Sequence, residues 1–195
     1  ERGWQHCDIK PENLGLGVES DVRTVKIMDW GAARTHTQLQ EHVMVSLRYR
    51  PPELLLRTDP YVHARTRIDV WALGCVLVGM YIGRDLFCGD DVVDVLMRIV
   101  RVLGAPPHTM VENSMPPCSS CVAGTACSWC GPTTFRAFTD TKCSNGLQTW
   151  IQNKDMLHAL TTMLSVDPNV RPSARECLSL PFFTSAERSR KRALG

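Results

Sequence analysis

"HCDIKPEN", residues 6–13, places an acid, a cation and an amide within six positions, with Pro11 between the last two. Packing alone gives no reason to crowd Asp8, Lys10 and Asn13 together. A cysteine, Cys7, stands between His6 and Asp8. Downstream, "LGLGV" carries apolar residues at 14, 16 and 18, and "TVKIM" carries them at 25 and 27, with the polar "ESDVR" between. That period of two predicts a short β-hairpin. The hairpin delivers the chain to "DWG" at 29–31. From there to "PPE" at 51–53 the sequence is polar and without period, which reads as a long surface loop. Loops of that length in compact domains usually carry function.

The remainder reads as helical. "IDVWALGCVLVGMYI" is apolar nearly all round, the pattern of a central buried helix rather than a membrane span, since it is short and carries Asp69. Val92, Val95, Leu96, Ile99 and Leu103 form an amphipathic stripe that Gly104 ends. Met156, Leu157, Leu160, Met163 and Leu164 form another, with Asn153 as its cap. "PSARECLSL" predicts a last short helix with Pro172 near its start. Between 105 and 150 the period dissolves into Pro, Ser, Thr, Cys and Gly, predicting an irregular insertion. The basic tail "ERSRKRALG" reads as a frayed, solvated end.

The 195 residues suffice for one domain with a sizeable core. A 44% apolar and 22% charged composition is that of an ordinary globular protein. A net charge of +2 argues against nucleic acid as partner, and no segment argues for a membrane. With nine cysteines and no secretory signal, reduced thiols in the cytosol or nucleus are expected.

Asp8, Lys10, Asn13 and Asp29 together make a set suited to phosphate and metal. Asp and Asn oxygens suit Mg²⁺, Lys brings a point charge to a phosphoryl group, and a separate Asp can accept the proton of an attacking hydroxyl. In that order and spacing, "HCDIKPEN" resembles the protein-kinase catalytic loop. "DWG" resembles the Asp-Phe-Gly metal motif, and "PPE" the Ala-Pro-Glu motif that closes the activation segment. "IDVWALGC" and "DPNVRPSA" resemble the central and last helices of that family. "SLRYRPPELLL", "GRDLFCGDD" and "IVRVLGAPP" are similar to the cyclin-dependent branch of the CMGC group, while the Trp of "DWG" is more like casein kinase 2.

The resemblance implies a mainly α fold, a kinase C-terminal lobe with a small β-hairpin at the cleft. Its expected parts are the catalytic loop and activation segment (1–56), central helices (57–104), the Cys-rich insertion (105–150), terminal helices (151–183) and a tail (184–195). It implies ATP and Mg²⁺, protein substrates and, through the other lobe, a cyclin-like activator. Asp8 would be the catalytic base, Lys10 would touch the transferred phosphoryl group, and Asn13 and Asp29 would hold Mg²⁺. Ser46 would bond Asp8 and Lys10. Met44 and Val45 would face the residue after the phospho-acceptor, a Pro in the cyclin-dependent branch, with Arg50 anchoring the backbone there. Glu53 would pair with Arg171, Asp69 would hold the catalytic-loop backbone, and His6 would pack and hydrogen-bond.

There are departures. The family usually has Arg where Cys7 stands, and that Arg receives the activating phosphate; the usual phosphorylated Thr falls at Glu41. Gly15 stands where a Leu or Met lies under the adenine ring. The sequence starts at the catalytic loop and holds no Gly-rich loop or strand Lys for the nucleotide phosphates. The expectation is a lobe lacking its nucleotide-binding half, which transfers no phosphate alone. A pseudokinase or scaffold role is the competing expectation. Cys118, Cys121, Cys127 and Cys130 form two C-x-x-C pairs that could hold Zn²⁺. The loop between the pairs is shorter than in usual zinc modules, so a metal-free Cys-rich loop is expected.

Overall fold

The computed structural model describes residues 3–19, 22–35, 45–56, 67–112 and 146–186. Met44, Glu41 and the four cysteines at 118, 121, 127 and 130 lie outside them, as does the tail from 187.

The hairpin forms where the alternation places it. Strand β2 (Leu14–Glu19) pairs antiparallel with β3 (Val22–Ile27), Leu14 opposite Ile27 and Leu16 opposite Val25. A second, two-residue pairing joins β1 (Trp4–Gln5) to β4 (Arg34–Thr35). Strands that short leave no period to read. Their pairing brings the chain on either side of the catalytic loop and hairpin together.

Helix α1 (Pro52–Leu55) follows the activation-segment motif. Helix α2 (Ile68–Ile82) is the central element, burying Ile68, Val70, Trp71, Cys75, Val76 and Val78. It reaches water at Leu73 and, in its last turn, at Met80 and Tyr81. It stops at Gly83, whose φ of 74° is left-handed and suits a residue without Cβ. Gly74 allows the close approach of the chain at Met163 and Leu164, because a Cβ there would lie 3.0 Å from Leu164 Cδ2. Helix α3 (Val92–Leu103) buries Val95, Leu96, Ile99 and Val100. Its N-cap Asp91 accepts from the Asp94 amide, a cap worth about 1 kcal/mol.

The stretch from 105 to 150 is more ordered at its edges than its composition suggests. Helix α4 (His108–Glu112) sinks Met110 and Val111, and a 3₁₀ turn at Leu147–Thr149 buries Leu147. Isolated apolar residues set these turns, with no repeat for a periodicity argument to find. Helix α5 (Lys154–Met163) is capped by Asn153, as expected. Helix α6 (Ala174–Cys177) starts two residues after Pro172, near where the sequence places it. Ser173 takes the cap position and forms a reciprocal capping box with Glu176. The chain is helical again over 181–186. One continuous core joins these helices to Ile9 and Tyr49, with Trp71 stacked on Phe87 at 5.8 Å. No described helix is long and apolar enough to cross a membrane.

Candidate active site

Backbone strain and a buried carboxylate set the catalytic loop. Cys7 has a φ of 65°, a left-handed conformation that L-residues other than Asn and Asp rarely adopt. Asp69, from the first turn of α2, holds it there by accepting the His6 amide at 2.7 Å and the Cys7 amide at 2.9 Å. His6 supports the same turn from its ring. The Asp8 amide donates to Nδ1 at 3.3 Å, and Nε2 faces the Met28 carbonyl at 2.9 Å. An amide can only donate and a carbonyl only accept, so the proton sits on Nε2 and the ring is neutral. The ring also meets Trp30 edge-on, centroids 4.9 Å apart.

This frame presents Asp8 to a four-residue network. Ser46 Oγ donates to Asp8 Oδ1 at 2.7 Å. Lys10 Nζ lies 2.7 Å from Asp8 Oδ2 and donates to Ser46 Oγ at 3.3 Å. Asn13 Nδ2 donates to Asp8 Oδ2 at 3.0 Å and to the Asp8 carbonyl at 2.8 Å. The 3₁₀ turn Pro11–Asn13 folds the amide back onto the acid, so Asp8 and Asn13 meet across five residues. Burial pulls the Asp8 carboxyl up. The hydrogen bonds from Lys10 and Ser46 and the Lys10 charge outweigh it and hold the group below its usual value. Lys10 is raised, first by its bond to Asp8. Both groups therefore keep their charges at neutral pH.

Asp29 stands apart from the network. It is exposed, left-handed at φ 57°, and caps the turn Trp30–Ala32 by accepting from Gly31. Its negative charge is felt at Lys10. Asn13 spends its amide hydrogens on Asp8, and no described residue donates to its amide oxygen. One amide oxygen and one exposed carboxylate form a sparse hard-oxygen pair of the kind Mg²⁺ accepts while keeping several waters. No group of three or more His, Cys, Asp or Glu gathers among the described residues.

A polar cleft of about 600 Å³ opens in front of this network, lined by Lys10, Asn13 and Ser46 on one side and by Arg48, Tyr49 and Asp85 on the other. Asp85 ties that far wall, accepting from Arg48 at 2.7 Å and from Tyr49 Oη at 2.8 Å. Spacing gave no hint of this contact across 36 residues. A larger apolar groove, about 630 Å³, lies among Ile9, Leu14, Ile27, Leu73 and Phe183. It touches none of Asp8, Lys10, Asn13, Asp29 or Ser46, whereas Lys10, Asn13 and Ser46 line the smaller cleft.

Two sequence expectations change. The Val45 side chain is turned inward, 3% exposed, rather than toward a substrate. What Val45 offers outward is backbone, and its carbonyl takes both Arg50 Nε (3.0 Å) and Nη2 (2.6 Å). Gly15 does lack a side chain, but Met28 fills its place. A Cβ at 15 would meet Met28 Sδ at 3.0 Å. Residue 28, just past the end of the other strand, carries no motif that would have pointed to this contact. Glu53 and Arg171 pair as expected, fully buried, at 2.7 and 2.9 Å.

The carboxylates give the protein a pH signature. Asp85 is lowered, first by its Arg48 bond and also by Tyr49. Asp69 is raised, by burial first, against the two amides it accepts. A lowered carboxylate stabilises fully above the usual range, near pH 4, and loses that contribution as pH falls through its folded value. Asp69 acts oppositely, and stability declines as pH rises through its raised value. The urea midpoint is expected to drop as pH falls below about 4, the Asp8 and Asp85 window, and Asp85→Asn should make that drop shallower. An unchanged drop in Asp85→Asn would count against the assignment.

Residues 1–183 match the family model described as protein kinase domain, and the chain belongs to that family. It is 35% identical over 188 residues to serine/threonine-protein kinase ICK of Rattus norvegicus. The alignment covers 94% of this chain and 27% of that protein, so the chain spans about a quarter of its relative's length.

Proposed function

We propose that this chain carries the substrate-facing and phosphoryl-transfer half of a protein Ser/Thr kinase, with ATP as phosphate donor. The observation that carries the reading is the Ser46–Asp8–Lys10–Asn13 network, three of whose members, Ser46, Lys10 and Asn13, line an open polar cleft. Asp8, held ionised, orients a substrate Ser or Thr hydroxyl and accepts its proton. The hydroxyl oxygen bonds to the γ-phosphorus as the bond to the ADP oxygen breaks. Lys10 lies against Asp8 and balances charge on the transferred group. Asn13 and Asp29 would hold Mg²⁺, which when bound neutralises the phosphate oxygens. Ser46 fixes the Asp8 carboxylate and ties the activation segment to it.

Transfer from Mg-ATP to Ser/Thr peptides, by this chain joined to a glycine-rich nucleotide-binding lobe, tests the reading. Transfer no greater than that of the added lobe alone would overturn it. The pseudokinase alternative draws on Cys7, which stands where the family usually has the Arg that receives the activating phosphate. Proline direction follows from the likeness of "SLRYRPPELLL" to the cyclin-dependent branch. Paired Ser-Pro and Ser-Ala peptides should then differ at least about tenfold in kcat/KM, and equal values would remove the idea. A cyclin-like activator and a cytosolic or nuclear setting belong to the same proposal, the latter in keeping with the free thiols of Cys7, Cys75, Cys88 and Cys177.

A further inference from the structure

Cys7 is buried to 1% exposure within the catalytic loop, in a small apolar cluster with Val45 and Ile68. Ala32 and Leu54 pack against the same cluster. These five residues come from separate places: the loop that carries Asp8, the chain on both sides of residues 36–44, helix α1 and the start of α2. The cluster lies outside the main core, which contains none of its three buried members. Two of the five adjoin working residues, because Cys7 precedes Asp8 and Val45 precedes Ser46. The bond from Ser46 Oγ to Asp8 Oδ1 at 2.7 Å therefore joins the two residues that directly follow Val45 and Cys7 in the chain.

We propose that Cys7 is a positioning residue: its uncharged side chain, packed with Val45 and Ile68, sets Ser46 on Asp8 and anchors the activation segment to the catalytic loop by apolar contact. The inference takes its meaning from the kinase reading of Asp8 and Ser46. The thiol suits the task. Burial, then the Asp69 charge, pushes its pKa up to about 12, so it stays neutral and packs as a small hydrophobe. Its polar contacts are weak: a long 3.6 Å bond to the Gln5 carbonyl, with the Arg34 backbone also near the sulfur, too little to outweigh burial. The backbone below it is held separately by Asp69, so the side chain is free to serve the segment rather than the turn. An anchor of this kind works without a charged group at position 7 and without a charged partner on the segment.

The test is a double-mutant cycle in the 195-residue chain. Its readout is hydrogen exchange at the Tyr49 and Arg50 amides, which donate to the Ser46 and Leu47 carbonyls. Cys7→Ala and Val45→Ala should each speed exchange there about tenfold or more, and the double variant should add little to the larger single effect, since both remove one shared contact. Leu160→Ala, in the main core, lowers global stability and should leave the local exchange of those amides behind the Cys7 variants. The Lys10 Nζ and Ser46 Cβ NMR signals should move with Cys7 and Val45 and not with Leu160. If Cys7→Ala does not fold, Val45→Thr keeps the volume and places a hydroxyl in the cluster, and the same local loss is expected. Multiplying effects in the double variant, equal effects from Leu160→Ala, or unmoved Lys10 and Ser46 signals would each overturn the proposal. None of these readouts requires phosphate transfer, so they stand or fall apart from the kinase reading.

Discussion

Glu53→Ala is expected to destabilise the protein by about 3–5 kcal/mol, the usual cost of removing one partner from a buried ion pair. Both side chains are sealed from water, and the pair is bidentate, Arg171 Nη1 to Glu53 Oε1 at 2.7 Å and Nη2 to Oε2 at 2.9 Å. Arg171 also donates to the Ser165 carbonyl at 3.1 Å, and its guanidinium lies 5.0 Å from the Trp71 ring. Removing the carboxylate leaves a cation with no route to solvent. The expected fall in Tm is about 6–20 °C for a chain of this size. Replacing both residues with apolar groups of similar volume should cost less than Glu53→Ala alone, because no charge is then stranded. Urea and thermal unfolding check both statements, and a loss under about 1 kcal/mol for Glu53→Ala would show that the charge finds water. The pair joins α1 to the chain before α6, 118 positions apart. Its loss should also loosen the loop that carries Ser46.

Asp8→Asn is expected to reduce phosphate transfer about 10²–10⁴-fold in the chain joined to a nucleotide-binding lobe, the contribution of a positioned general base. Asn is nearly isosteric, so the fold and the Ser46 contact can persist while the proton acceptor is gone. Lys10 would lose its ionic partner, now 2.7 Å away, but keep Ser46. The loss should fall on kcat, with peptide KM within a fewfold, since the cleft walls at Arg48, Tyr49 and Asp85 are untouched. A loss below about tenfold would remove Asp8 from the base role. The 195 residues alone should transfer no phosphate from Mg-ATP, because half of the contacts a nucleotide needs have no counterpart in this sequence. Robust transfer by the isolated chain would refute that.

Short-range features were legible at once. The crowding of Asp8, Lys10 and Asn13 survives intact as a network, because a 3₁₀ turn can fold six residues on themselves without help. The alternation at 14, 16 and 18 became β2, and the apolar run at 68–82 became α2. The joining of Ser46 to Asp8, 38 positions apart, and of Asp69 to the loop backbone was accessible only through family likeness. Periodicity carries no information about partners so distant.

Other features had no signal of either kind. Val45 turns inward because an apolar side chain beside Cys7 and Ile68 gains more from burial than from water. Met28 leans over Gly15 because the hairpin brings the end of one strand beside the start of the other, and a Cβ at 15 would press on the thioether. Asp85 closes the cleft wall because the turn after α2 returns to Tyr49.

By itself, the sequence determined the cluster of Asp8, Lys10 and Asn13, the hairpin that follows it and the main helices, since residue types at fixed spacing and hydrophobic period are one-dimensional properties. Tertiary structure alone decided which side chains face the cleft, which wall Asp85 ties and what surrounds Cys7. Those outcomes depend on burial and on donors and acceptors meeting across the fold, and neither is set until the chain has packed.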